Sequence, residues 1–547
     1  MSKTKIFRNI TLTLSALFCI LLGVIVGGYL MRNTQQQQIV ELLRNGGEAV
    51  GSNGLSNNKI NTTISLINRY YVDSVKIDTL IEGLMPKLIE RLDPHSAYIP
   101  AKDLQRVNES LDGEFDGIGV VFNMSTDTVI VLNVIPSGPS AKAGILARDR
   151  IVKINDSLVA GRKVRQDSIV GKLRGKRNTK VKLGIERAGI EGIVDIVVTR
   201  DKITVHSVGA SLILEDSVGY INLQQFARTT YAEFIDEVNK LLALGMKSLM
   251  LDLRGNPGGF MDQAILIANE FLPKGSLIVY TEDREGRQQR EYNTEDGQLQ
   301  SLPLVVLIDE GSASSSEIVA GALQDNDRGT IVGRRSYGKG LVQRQIPFND
   351  GSAMRLTIAR YYTPTGRSIQ KPYSNGAGEE YEKEIIRRIE HKELFTADSI
   401  SFVDSLRFTT PKGRTVYGGG GIMPDVFVPL NQEKLPKFFV EVVGRNILYR
   451  YTIKYSDRHR DELAAIETLE DLDRYFESDS RLVDGFIAHA KRKGVEEDDS
   501  IDASRELIER QLRALIGRNT MLEENGYMMN IYPIDDTVLR GLEELRK

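Results

Sequence analysis

Pro303-Leu-Val-Val-Leu-Ile-Asp-Glu-Gly-Ser-Ala-Ser-Ser-Ser-Glu-Ile-Val-Ala-Gly-Ala-Leu323 joins an apolar run, a polar turn and a second apolar run. The first run, Pro303–Ile308, is short and rich in β-branched residues and reads as a buried strand. The second follows Ser314-x-x-Glu317, a capping box in which a serine hydroxyl and a glutamate satisfy the free N–H groups of a helix start. Ser314 therefore stands where a strand ends and a helix begins. Such a position offers an exposed hydroxyl, unpaired N–H groups and the positive end of a helix dipole, all suited to a developing oxyanion.

Working outward, Gly329-Thr-Ile-Val-Gly333 reads as another strand and leads to Tyr337-Gly-Lys-Gly-Leu-Val-Gln343. Glycines on both sides of Lys339 leave room for close approach to another backbone. A serine is a weak nucleophile without a base, and lysine acts as one only when neutral, which requires burial or neighbouring cations. The chain has 5 histidines, none beside a plausible nucleophile in sequence, so a serine–lysine pair is the favoured acyl-transfer chemistry. On chemistry alone Ser312, Ser314 and Ser316 are rival nucleophiles. Gly333-x-x-x-x-Gly338-Lys339-Gly340 nearly matches a phosphate-binding loop, but Gly340 stands where a metal-binding hydroxyl belongs. Leu341–Pro347 also reads as a strand rather than the required helix.

Upstream, Ser248–Leu253 is a buried strand, and Asp252-Leu-Arg-Gly-Asn-Pro-Gly-Gly259 turns it into the helix Asp262–Phe271. Gly258 or Gly259 could direct an N–H at an oxyanion. With Gly219–Leu223, Thr230–Leu244, Leu277–Thr281 and Leu304–Ile308, residues 203–430 alternate strand and helix as an α/β core. Residues 108–202 instead carry short β runs: Ile118–Phe122, Thr128–Ile135, Asp149–Ile154 and Lys180–Arg187, with helices at Ser140–Ile145 and Arg165–Leu173. Residues 59–107 show helical spacing (Ile60, Ile64, Ile67; Leu80, Leu84, Leu88) until Asp93-Pro-His-Ser96 breaks it. Residues 431–547 are dense in Glu, Arg, Lys and Leu and are expected to be helical.

At 547 residues with 27% charged and 41% hydrophobic residues, the chain is an ordinary multidomain globular protein. A net charge of −3 and the lack of a basic block exclude a nucleic-acid partner. Lys3, Lys5 and Arg8 (residues 1–8) precede an uncharged run, residues 9–31, closed by Arg32. Roughly 20 apolar residues cross a bilayer, so this run is expected to be a retained signal anchor with the following chain on the extracytoplasmic, periplasmic side of an inner membrane. Residues 32–58 read as a linker. The single cysteine, Cys19, lies in the apolar run, so the exported body has no thiol chemistry. No His-Glu-x-x-His or Cys/His cluster is present, and neither metal nor cofactor is expected.

Gly117-Ile-Gly-Val120, Pro136-Ser-Gly-Pro-Ser-Ala-Lys-Ala-Gly-Ile145 and Asp149-Arg-Ile-Val-Lys-Ile-Asn155 resemble a PDZ domain. In such domains the loop corresponding to Gly117, Ile118, Gly119 and Val120 receives a terminal carboxylate, and the peptide joins the sheet as an extra strand. Arg148 and Asn178 stand where glycine is common. The whole motif set, with Gly311–Asp325, Gly338–Gln343, Thr363-Pro-Thr-Gly-Arg-Ser-Ile-Gln370 and Gly418-Gly-Gly-Gly-Ile-Met-Pro-Asp425, resembles the C-terminal processing (tail-specific) peptidases from about residue 60 to 430. The resemblance implies Ser314 as nucleophile, Lys339 as base, Gln343 as the residue orienting it, Ser315 with Gly258 or Gly259 as oxyanion donors, and Asp325 in a supporting role. Ser315 departs from the alanine frequent in the family. The expected architecture is thus an α/β (α+β) serine–lysine protease core with an inserted β-rich PDZ-like domain, an N-terminal transmembrane helix and an α-helical C-terminal region. The expected substrates are proteins with apolar C-terminal tails, and self-association stays open. The rival reading is a non-enzymatic PDZ scaffold.

Overall fold

The computed structural model describes residues 55–547, apart from 125–126, 377, 401–402, 431–434 and 497–498. The expected anchor at residues 9–31 lies outside the described residues, as do its flanks. Among the described residues no helix is long and apolar enough to cross a membrane. The chain forms two units dividing after Leu88. In the first, the described chain is helical over Leu55–Tyr70 and from Ile77 onward.

The second unit is built on a six-stranded sheet in the order Val208–Ile213, Val218–Leu223, Ser248–Asp252, Leu304–Ile308, Thr330–Gly333, Val426–Phe427. The first pair is antiparallel and the rest are parallel. Parallel neighbours need crossover connections; Thr230–Ala243, Met261–Asn269 and Ser315–Asp325 lie in the first three, and residues 334–425 make the fourth. Ser248–Asp252 and Leu304–Ile308 are buried at every residue. That is why they read as unbroken apolar runs rather than alternating ones. Each large apolar side chain so buried contributes about 2 kcal/mol.

One face of the sheet packs Leu251, Val306 and Ile308 against Phe234, Ile267 and Val319 of the crossover helices. The other face packs Met250, Val305 and Leu307 against Val538 and Leu542 of the last helix, Asp536–Leu545. The helical C-terminal region has its own core around Phe438, Leu472, Phe486 and Leu512.

A second sheet centres on the ten-residue strand Ala353–Tyr362, which pairs with Leu341–Pro347, Leu277–Asp283 and Ala97–Ile99. The last of these is a correction: residues 97–99 are extended, not helical. Leu341–Pro347 is a strand, so the helix that a phosphate-binding loop requires after Lys339 does not exist.

The β-rich module comprises Val120–Asn123, Val129–Val134, Arg150–Ile154, Lys180–Glu186 and Ile193–Thr199, with helices Pro139–Ala143 and Gln166–Leu173. The chain enters through Glu114–Gly117 and leaves through Asp201–Thr204, and these two strands pair antiparallel. Entry and exit therefore coincide, which lets the module sit as an insertion. Arg148 and Asn178 both have positive φ, 69° and 66°. The glycine-favouring conformation is thus kept without glycine, at some backbone strain.

Candidate active site

Ser314 ends the turn after Leu304–Ile308 and caps the helix Ser315–Asp325. Its backbone lies at φ 56°, ψ −111°, a region that a serine enters only under constraint. The strain presents the side chain outward while its neighbours turn in. Ser312 Oγ donates to the Leu253 carbonyl at 2.8 Å, and Ser316 Oγ to the Asn256 carbonyl at 3.0 Å. Both serines are fully buried. Ser315 is buried too, its hydroxyl donating to the Gly259 carbonyl at 3.0 Å. Of the four serines only Ser314 is partly exposed.

Ser314, Ser315, Gly258, Gly259, Lys339, Gln343, Arg355 and Tyr361 line one cleft of about 560 Å³. No hydrogen bond joins Ser314 Oγ to Lys339 Nζ in this state. Lys339 Nζ reaches Gln343 Oε1 at 3.5 Å, a long contact of the kind that tightens when substrate binds. Burial, and then the charge of Arg355, hold the Lys339 amine below the ordinary lysine range, while Glu317 and Asp93 pull it back up.

Glu317 does more than cap. Its fully buried carboxylate accepts the N–H of Ser314 (2.9 Å), Gly338 (2.7 Å) and Lys339 (2.9 Å), and the hydroxyl of Ser336 (2.5 Å). Each oxygen takes two donors, so the serine turn and the lysine loop are stitched through one side chain. Burial pushes its carboxyl above the usual range, and the four donors oppose that shift. Tyr361, also buried, donates its hydroxyl to the carbonyls of Lys339 (2.7 Å) and Ser314 (3.1 Å).

Gly338 (φ 90°) packs so closely that a Cβ there would lie 3.1 Å from the Gly421 amide. Gly340 donates to Gln370 Oε1 at 2.8 Å. The Gly418–Asp425 and Thr363–Gln370 stretches thus converge on the lysine loop. Gly258 lies so near the nucleophile turn that a Cβ would fall 2.8 Å from Ser314 Cβ. Its own N–H, however, already goes to Asn256 Oδ1 at 2.9 Å. Of the two glycine candidates for an oxyanion donor, Gly258 is therefore engaged elsewhere.

Gln343 Nε2 donates to the His95 carbonyl at 2.5 Å, which turns its oxygen toward Lys339. His95 belongs to the turn that only marks a break in helical spacing in the sequence. Its ring contacts the Tyr381 hydroxyl at 2.9 Å, and Asp93 fixes the turn by accepting the amides of His95 and Ser96, 2.8 Å each. Asp325 lies about 16 Å from Ser314 at the far end of the helix. It pairs with Arg367 at 2.7 Å and accepts the Thr365 hydroxyl at 2.6 Å. It braces the Thr363–Gln370 turn and does not line the cleft.

In the β-rich module, Ile118 is buried and packs with Ile169 and Leu173 in the module's core. The carbonyls of Ile118 and Gly119 accept the amides of Ser140 (3.0 Å) and Ile135 (3.1 Å). Gly117 ends the entry strand and Val120 begins the next. A second cleft, about 690 Å³, is lined by Phe115, Asp116, Val170 and Arg174, and it shares Gln225 with the first. None of Gly117, Ile118, Gly119 or Val120 lines it.

Sequence reading missed Glu317 as a hub, and it missed Tyr361, Arg355 and His95 altogether. Arg355 and Tyr361 share one strand, but the extra residue between Thr357 and Ala359 breaks its alternation, so even spacing does not reveal that both reach the cleft.

Residues 217–376 match the model of peptidase family S41 and residues 117–208 that of the PDZ domain, while residues 438–521 match a family of unknown function. The carboxy-terminal-processing protease of Bartonella bacilliformis is 39% identical over 312 residues, covering 56% of this chain and 70% of that protein. The carboxy-terminal processing protease CtpA of Bacillus subtilis is 35% identical over 327 residues, covering 59% and 69%. A solved structure, the photosystem II D1 C-terminal processing protease, shares 25% identity over 73% of this chain and 94% of that one, with a TM-score of 0.36. On the match to the family model and the two carboxy-terminal-processing relatives, the chain belongs to peptidase family S41, as a serine-type peptidase carrying a PDZ domain and a helical C-terminal region.

Proposed function

We propose that this protein is a membrane-anchored endopeptidase that takes hold of apolar C-terminal tails through its PDZ domain and hydrolyses them with a Ser314–Lys339 dyad. The observation that carries the proposal is the single cleft in which an outward-facing, backbone-strained Ser314 meets a lysine whose amine is held below its ordinary pKa.

Ser314 Oγ attacks the scissile carbonyl as neutral Lys339 takes its proton, and Gln343 keeps the amine aimed. The N–H groups of Ser315 and Gly259 receive the oxyanion, the first of them at a helix start where the dipole adds to the hydrogen bond. Collapse of the tetrahedral intermediate passes the proton to the leaving amine, and water then releases the acyl group by the same steps in reverse. The two clefts meet at Gln225, so a tail held beside the PDZ helix has a route toward Ser314. The cationic flank and uncharged run of residues 3–31 support an inner-membrane anchor with the body in the periplasm. The relatives named for carboxy-terminal processing support the choice of substrate.

The test is to incubate the full chain in detergent, as wild type, Ser314→Ala and Lys339→Ala, with an unfolded reporter ending in an apolar tail. Intact mass should show cleavage by the wild type alone. Cleavage by either variant removes the dyad.

A further inference from the structure

Arg355 is the third residue of the strand Ala353–Tyr362, opposite Gln345 and Ala97, and lines the cleft that holds Ser314 and Lys339. It is only partly exposed. Other arginines of the core, buried or partly buried, have carboxylates: Arg254 with Asp252 and Asp535, Arg334 with Glu310, Arg367 with Asp325, Arg388 with Glu384. Arg328, which has none, is held by three backbone carbonyls. Among the described residues the Arg355 guanidinium has neither an ion pair nor a hydrogen bond. Burial alone depresses it, with no anion opposing the shift.

A half-buried guanidinium without a partner is costly. The cleft wall offers it no answer, since the one acidic side chain on that wall, Asp262, is exposed at the start of the helix Met261–Asn269. Gln345, directly opposite, is tied to Asn108 at 3.0 Å. What the planar fork fits best is a carboxylate, taken by two parallel hydrogen bonds.

We propose that Arg355 is a carboxylate-binding subsite of the catalytic cleft, which holds an anionic group of the substrate beside the bond being cut. This rests on the peptidase reading above. The anion is either the terminal carboxylate of a short tail or an Asp or Glu side chain near the scissile bond. Because the charge of the same guanidinium lowers the Lys339 pKa, an anion bound there also weakens that effect.

The experiment uses the full chain in detergent, wild type, Arg355→Gln and Arg355→Lys, with two pairs of matched fluorogenic peptides. The first pair differs only in a free or amidated C-terminus. The second pair, both amidated, places Glu or Gln at successive positions around the cleaved bond. The readout is the acid-to-neutral ratio of kcat/KM in each enzyme. Any preference exerted by the PDZ domain is common to all three and cancels. The ratio should fall about 10-fold or more from wild type to Arg355→Gln, with Arg355→Lys between them. A fall in the first pair assigns the terminal carboxylate, and a fall in the second assigns the side chain. The same peptides are also titrated onto Ser314→Ala with and without Arg355→Gln, so the subsite is tested by binding even where no cleavage occurs. Equal ratios in every arm, by rate and by binding, overturn the subsite. Cleavage by none of the enzymes, with the binding difference intact, overturns the peptidase reading instead.

Discussion

Glu317 Oε2 accepts the backbone N–H of Lys339 at 2.9 Å, across 22 positions of sequence. The same oxygen accepts the amide of Ser314. The relative placement of Ser314 and Lys339 is therefore fixed through their backbone amides, by a fully buried side chain. An amide in place of this carboxylate would point an NH₂ at two existing donors. Glu317→Gln should lose about 3 kcal/mol of stability, the range for leaving buried donors unpaired. Urea denaturation measures this, and a midpoint equal to wild type would show that the hub is dispensable.

Activity should rise with pH as Lys339 loses its proton, with the rise falling below the pH at which an ordinary lysine titrates. The sign follows from burial and from Arg355, both of which disfavour the charged amine, against Glu317 and Asp93. Removing the Arg355 charge favours protonation, so Arg355→Gln should move the rise to higher pH. A pH series of kcat on a neutral, amidated substrate checks the direction.

His95 is held neutral, its pKa lowered from 6.5 to about 4, first by burial and next by the charge of Lys339, with Asp93 opposing. Below 6.5 the unfolded chain binds a proton that the folded one does not, so stability should fall as pH drops from 6.5 toward about 4. His95→Gln should flatten that part of the stability curve. An unchanged slope would place the acid sensitivity elsewhere.

Arg254, in the loop that carries Gly258 and Gly259, makes two 2.9 Å contacts to Asp535. Asp535 in turn caps the last helix by accepting the amides of Thr537 and Val538. Asp535→Ala removes a cap and half of a partly buried ion pair. It should cost about 2–4 kcal/mol and, if Gly259 donates to the oxyanion as proposed, lower kcat more than it raises KM. Steady-state kinetics and a melting curve on the full chain separate the two effects.

Much of the core was legible because its signals are local. Leu304–Ile308 is apolar at each position, Ser314-x-x-Glu317 announces a helix start, and the C-terminal region repeats leucines at helical spacing. The site was legible only where it coincided with those signals or with a family motif. His95 reaches Gln343 across 248 positions and Asp93 reaches Thr357 across 264. No periodicity carries such contacts. Glu317 shows the opposite failure, since a complete local explanation, capping, hid its bonds to Ser336, Gly338 and Lys339. The docking of the last helix on the sheet was equally silent, because an amphipathic face does not name the surface it covers.

The backbone at Ser314 sets the proposed nucleophile against the fold. A residue at φ 56°, ψ −111° is easier for glycine, and Ser314→Gly should relax a strain of about 1–3 kcal/mol while abolishing hydrolysis. Thermal tolerance and turnover therefore pull in opposite directions at this one position. A library screened for heat resistance alone should accumulate glycine at 314, and the same library screened for cleavage should never keep it.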